Sequence, residues 1–337
     1  MPEEKFSGIK KNQRGIRMRQ YITRRLLEMI PVIIGISFLL FVIFAMAPGD
    51  AVDNIQNPNL SQEKIMDLKK QYGLVGNPVE RYINWAKKAV QFDFGDSIKH
   101  KEKVSTVIDT YVWNSFWLSL GSFLLSTLIA IPIGVVSATK QYSIFDRFFT
   151  IFALFGVSIP SFFFGMVLIK IFAVDIPIFP VSGMISTGIN ATGFTYVLDV
   201  MKHMALPLIV LTLISLAGLM RYTRTAMLEV IRQDYIRTAR SKGLSEKVVI
   251  YKHALRNAMI PIITILAMQL PGLFGGAILT EQVFAWPGIG RVAIQAINGR
   301  DYPLLMGFEV LLAVLTLLGN LIADITYALV DPRIRLK

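Results

Sequence analysis

Apolar residues in this chain gather into six long runs, at about 27–47, 113–137, 148–173, 204–220, 260–279 and 304–330, separated by polar segments of unequal length. A helix needs roughly 17–25 mostly apolar residues to cross a bilayer, and each run falls in or close to that range. None alternates apolar and polar positions with the period of two that a membrane barrel requires. The pattern predicts an all-α integral membrane protein with six transmembrane helices. The first run has a cleavage-site-like Ala45-Met46-Ala47. It is nevertheless longer than the roughly 7–15 apolar residues of a signal peptide and follows an extended basic arm, so it reads as a retained helix.

The polar segments divide the chain further. Residues 1–26 form a basic arm. Residues 27–112 hold the first helix and an external module, in which Ser61 precedes an amphipathic stretch with Ile65 and Leu68 at helical spacing. A second stretch, 79–90, places Tyr82, Trp85, Ala86 and Ala89 near one face, the periodicity of a half-buried helix. Asn77-Pro78 and Phe94-Gly95-Asp96 read as turns. Residues 113–337 form a core of five further helices with one large polar link at about 221–256.

Charge sets the orientation. The chain carries 35 Lys plus Arg against 23 Asp plus Glu, a net charge of +12, while only 17% of its residues are charged and 53% are hydrophobic. Soluble domains carry about 25% charged residues, so a soluble enzyme is excluded. The cations cluster in the N-terminal arm, in 221–256 and in the tail, which by the positive-inside rule makes both termini cytoplasmic. Clusters flanking membrane spans, without a nucleic-acid-binding signature, point to membrane lipid and not to nucleic acid. With no Cys, disulfides, thiolate metal sites and Cys nucleophiles are excluded. His100, His203 and His253 lie in unrelated segments, so neither a metal site nor a catalytic triad is expected.

The link at 221–256 has the pattern of a helical elbow. Met227, Val230, Ile231 and Tyr235 continue the fourth helix beyond the membrane at helical spacing. Gly243 interrupts it as a glycine just past a helix end does, plausible only with a backbone angle that glycine tolerates. Ser245 is placed to cap a second helix, with Val248, Tyr251, Ala254 and Leu255 on one side.

The stretch Asp234-Tyr235-Ile236-Arg237-Thr238-Ala239-Arg240-Ser241-Lys242-Gly243 resembles the cytoplasmic coupling loop of ABC-importer permeases, with Thr238, Ala239 and Gly243 in its small-residue and glycine places and Leu255 in its last. It departs from the general form at Arg237, His253 and Arg256, where Glu, Ile and Pro are usual, departures typical of one branch. His253-Ala254-Leu255-Arg256-Asn257-Ala258 and Trp286-Pro287-Gly288-Ile289-Gly290-Arg291 resemble the B-type permease of dipeptide and oligopeptide importers. So do Ala47-Pro48-Gly49-Asp50, Ser158-Ile159-Pro160-Ser161, Arg300-Asp301-Tyr302-Pro303 and Asp331-Pro332-Arg333-Ile334-Arg335.

That resemblance implies a type I ABC importer permease in a prokaryotic cell membrane. Its partners would be a second homologous permease, two ABC ATPase subunits and an extracytoplasmic substrate-binding protein delivering peptide. Asp234, Tyr235, Arg237, Thr238, Ala239, Lys242, Gly243, Leu244, His253 and Leu255 would form the ATPase-docking loop. The chain has no G-x-x-x-x-G-K-[ST] sequence, so no catalytic residues and no cofactor are expected in it; ATP and Mg would sit on the partner subunits. A nickel or other small-solute importer of the same family is the alternative substrate reading.

Other residues fit a transporter without defining one. Pro31, Pro132, Pro160, Pro207, Pro261 and Pro271 lie within apolar runs and favour kinks. Gly272 and Gly276 have the spacing of a close helix-packing surface. Pro160, Asn320 and Asp324 are the candidates for the translocation path. Asp324 is an acid within a span, and its proton-coupling role would belong to an ATP-independent secondary transporter or channel, the competing class.

Overall fold

The computed structural model describes residues 2–47, 49, 52, 61–71, 75–188 and 192–330. Pro48, Asp50, the closing 331–335 motif and the arm's side chains before Arg19 lie outside the described residues.

The helices are α1 (Pro2–Met46), α2 (Gln62–Gln71), α3 (Pro78–Ala89), α4 (Val104–Thr139), α5 (Ile144–Ser158), α6 (Ser161–Ile169), α7 (Gly193–Ile231), α8 (Asp234–Ser241), α9 (Glu246–Val248), α10 (Leu255–Gln269), α11 (Ile278–Val283), α12 (Ile289–Gly299) and α13 (Tyr302–Val330). Among the described residues, five helical stretches are long and apolar enough to cross a membrane: Arg19–Met46, Val104–Thr139, Gly193–Ile231, Glu246–Phe274 and Tyr302–Thr326. The third apolar run supplies a sixth only as a bent pair, α5 and α6 with its π-helical extension Lys170–Asp175, which meet at 100°. Pro160 explains the break: it lacks an amide donor, and it holds Ile159 in an extended conformation (φ −82, ψ 125). Pro31, Pro132, Pro207 and Pro261, by contrast, lie inside unbroken helices.

The chain forms two compact units. One combines Met1–Val107, Leu266–Pro271 and Ala296–Lys337. Within it α1 runs along α13, and Phe44 stacks on Tyr302 with ring centroids 5.5 Å apart. Asn77 caps α3 through the Val79 amide (2.9 Å), with Pro78 opening the helix where its missing donor costs nothing. Tyr82 then lays α3 against α1: its hydroxyl lies 2.9 Å from Ser37 Oγ, and its ring meets Phe38 and Phe41 edge-on. Buried Asp301 ties the 97–100 turn to the start of α13. It accepts hydrogen bonds from Ser97 Oγ (2.6 Å), Lys99 N (3.0 Å) and Leu304 N (3.3 Å).

The second unit comprises Ile108–Ile265 and Gly272–Gln295. Small residues let its helices approach closely: a Cβ on Gly134 of α4 would lie 2.7 Å from Thr223 of α7, and one on Gly156 of α5 would lie 3.0 Å from Ala217. Leu168, Ala173, Leu206, Val210 and Phe284 form a buried cluster joining α6, α7 and the end of α11. The expected glycine packing surface is corrected here. Regular α-helix ends at Gln269, Gly272 faces open space, and Gly276 is in a loop at φ +74 against Gly290.

Candidate functional site

The elbow grows out of α7, whose helical run continues to Ile231 before Arg232 and extended Gln233 (φ −75, ψ 149) break it. Helix α8 ends at Ser241 with Lys242 as its C-cap, and Gly243 adopts φ +76, the left-handed conformation that costs glycine nothing. A Cβ there would meet nothing within 4 Å, so the requirement for glycine is one of backbone angle and not of space. Arg240 closes the bend by donating to Glu246 at 2.6 and 3.1 Å, a bond that raises its guanidinium pKa. Ser245 occupies the cap position in extended conformation, but its side chain makes no capping bond.

The second half of the elbow differs from its expected face. Residues Val249–Ala254 form a π-helical turn, whose wider i→i+5 bonding shifts the register. Val249, Ile250 and Ala254 are therefore buried, while Val248 and Tyr251 are exposed. Helix α8 packs onto this turn with Ile236 and Ala239 buried. Ala239 thus serves the elbow's own core. Asp234, Arg237, Thr238, Lys242, Gly243 and Leu244 are exposed, and His253 and Leu255 are half-buried. Tyr235, Leu244, Val248 and Tyr251 give the elbow four large exposed apolar or aromatic side chains, the kind of surface that marks a protein contact.

A second polar centre surrounds Glu281, which is fully buried. Its Oε1 accepts from Ser115 Oγ (2.6 Å) and Ala277 N (3.0 Å), and its Oε2 from Arg291 N (2.9 Å). Ser115 Oγ in turn accepts from Ile289 N at 2.8 Å. Next to it Trp286 Nε1 donates to Asn114 O (3.1 Å), and Asn114 Nδ2 donates to Pro287 O (2.8 Å). A Cβ on Gly288 would collide with the Glu281 carboxylate and Ser115 Oγ. The 286–291 motif is therefore the cradle of a carboxylate contributed by α11 and a hydroxyl contributed by α4. Three donors satisfy a charge that burial would otherwise make very costly.

Residues 130–336 match the family described as the binding-protein-dependent transport system inner membrane component. The chain belongs to that family. It is 43% identical over 320 residues to the oligopeptide transport system permease protein AppB of Bacillus subtilis, covering 94% of this chain and 99% of that protein. It is 39% identical over 338 residues to the dipeptide transport system permease protein DppB of Escherichia coli K12, covering 95% and 100%. Among solved structures it resembles the MetNI methionine ABC transporter in an inward-facing form, with a TM-score of 0.53 at 19% identity over 67% of this chain and 97% of that one. The fold is that of a type I ABC importer permease, and the protein is a B-type inner-membrane permease subunit of a binding-protein-dependent importer.

The permease's three candidate path residues are described each within its own unit. Pro160 is exposed at the α5–α6 bend, and Asn320 is exposed on α13. Asp324 accepts from Tyr21 Oη at 2.9 Å and lies 3.3 Å from an Arg25 nitrogen; it is a contact between α13 and α1. Sequence reasoning passed over Glu281 and Ser115, and it named Asp301 only as part of the 300–303 motif. An acid five residues before Trp286, in a segment too short and broken to span, was the available signal for the first; Ser115 carried none.

Proposed function

We propose that this permease imports di- or oligopeptides as half of a translocation pathway completed by a second, homologous permease. Both termini are cytoplasmic, and the elbow around Gly243 docks an ABC ATPase, one of two that hold the ATP and Mg. A substrate-binding protein delivers peptide from outside. The observation that carries the substrate reading is the near full-length similarity to permeases named for oligopeptide and dipeptide transport. The elbow supports the coupling reading: a rigid bend, packed from inside by Ile236, Ala239 and Ile250, presents exposed Leu244, Val248 and Tyr251 to a partner.

Reconstitution into liposomes tests both halves of the proposal. Uptake of labelled di- and oligopeptides should require the ATPases, the binding protein and ATP together. Uptake by the permeases without ATPases would favour an ion-coupled transporter. ATP-dependent uptake of a nickel complex, with peptide ignored, would replace the substrate while leaving the mechanism.

A further inference from the structure

We infer that a cavity in the unit containing α1, α3 and α13 holds the phosphate headgroup of an anionic glycerophospholipid. The cavity has a volume of 690 Å3. Phe41 and Phe44 of α1, Trp85 of α3, Phe94 and Tyr302 give it an aromatic wall. Lys70, Arg81, Lys87, Lys88 and Lys103 also line it, against only Asp93 and Asp96, so the lining is net positive. Arg81 lies over the Phe41 ring, 5.6 Å from its centroid, which places a cation directly against the aromatic wall.

The height of the cavity along α1 selects the ligand. Phe41, Phe44 and Ala45 belong to the last turns of a membrane-length helix. The same turns expose Leu39, Ile43 and Met46, a surface suited to acyl chains. Trp and Tyr rings with Lys and Arg at the end of a span mark the headgroup level, where long basic side chains reach up from the hydrocarbon. A soluble anion would gain little from the aromatic wall, and a purely apolar ligand nothing from the cations. A phosphodiester carrying acyl chains uses both.

Trp85 Nε1 is buried without a hydrogen-bond partner among the described residues, whereas a buried indole N–H normally finds an acceptor. A phosphate or glycerol oxygen would supply it. Under the orientation proposed above the leaflet is the outer one, but the site depends neither on that nor on the identity of the substrate.

The test is native mass spectrometry of the assembled, delipidated transporter titrated with equal amounts of dioleoyl-phosphatidylglycerol and dioleoyl-phosphatidylcholine. The wild type should bind phosphatidylglycerol preferentially. Lys87→Gln/Lys88→Gln/Lys103→Gln should weaken that binding by about fivefold per cation, on the order of 100-fold together, and leave phosphatidylcholine binding unchanged. Lys64→Gln/Lys99→Gln, two exposed cations outside the cavity lining, should behave as wild type. Should the triple variant fail to assemble, Lys88→Gln and Trp85→Phe separately should each show a smaller loss. Absence of a phosphatidylglycerol preference, or an equal loss in the control pair, would overturn the site. Displacement of the lipid by millimolar inorganic phosphate would overturn its assignment to a lipid and make it a free-anion site.

Discussion

Asp146 and Arg224 form a two-pronged ion pair, with Arg224 Nε and Nη2 donating to the two carboxylate oxygens at 2.7 and 2.9 Å. Asp146 is buried near the start of α5, where it also accepts the Tyr142 amide at 2.9 Å. Arg224 sits on α7 two turns before that helix ends and the elbow begins. The pair therefore fixes the 140–143 turn and the start of α5 to the helix that carries the elbow.

Removing one member of such a pair strands a buried charge, at a cost of about 3–5 kcal/mol. Arg224→Ala should lower the thermal unfolding temperature of the purified assembly sharply. Asp146→Asn/Arg224→Gln, which removes both charges, should recover most of the loss. A double variant no better than Arg224→Ala would show that the pair contributes through packing alone.

Gly243 is held at φ +76. Asn tolerates the left-handed region and a β-branched residue does not, and a side chain there meets open space. Gly243→Asn should keep most peptide-stimulated ATP hydrolysis, whereas Gly243→Val should lose it with the permease still inserted at normal levels. Equal activity of the two variants would remove the conformational role. Ala239→Arg should act by a different route, because Ala239 is buried on the face of α8 that packs onto the π-helical turn. It should increase proteolytic cleavage within the elbow as well as abolish coupling.

The Glu281 centre yields a graded series. Ser115→Ala removes one donor from a buried carboxylate and should cost about 1–3 kcal/mol. Gly288→Ala should cost more, since its new methyl would occupy the space of the carboxylate. Denaturation of the purified assembly, followed by Trp fluorescence, gives the ranking; Gly288→Ala as stable as wild type would contradict the cradle.

What could be read from the sequence follows the range of the interactions. Apolar run length is a local property, so the membrane-length helices and the continuation of α7 to Ile231 were legible, as was the backbone angle of Gly243. The bend at Pro160 was visible as a proline, but four other prolines in apolar runs leave their helices unbroken, because neighbouring packing decides whether the lost hydrogen bond matters. The π turn at Val249–Ala254 reversed the expected faces of Val248 and Tyr251, and no helical-wheel reading with a 3.6-residue period contains it. Glu281 needs Ser115, 166 residues away; Asp301 needs Ser97, 204 residues away. Such partners are assigned by the fold.

We have proposed that an ATPase drives this permease through the elbow. Because the natural chain has no Cys, a single Leu244→Cys can carry a short photo-crosslinker at the exposed turn beside Gly243. In the assembled transporter it should crosslink to an ATPase subunit, and the crosslinked yield should change when ATP is added. A matching probe at Lys99, in the segment tied to Asp301, should give no ATPase adduct. Crosslinking of Leu244→Cys to lipid or to the second permease only, with the ATPases bound and active, would rule out the elbow as the ATPase contact.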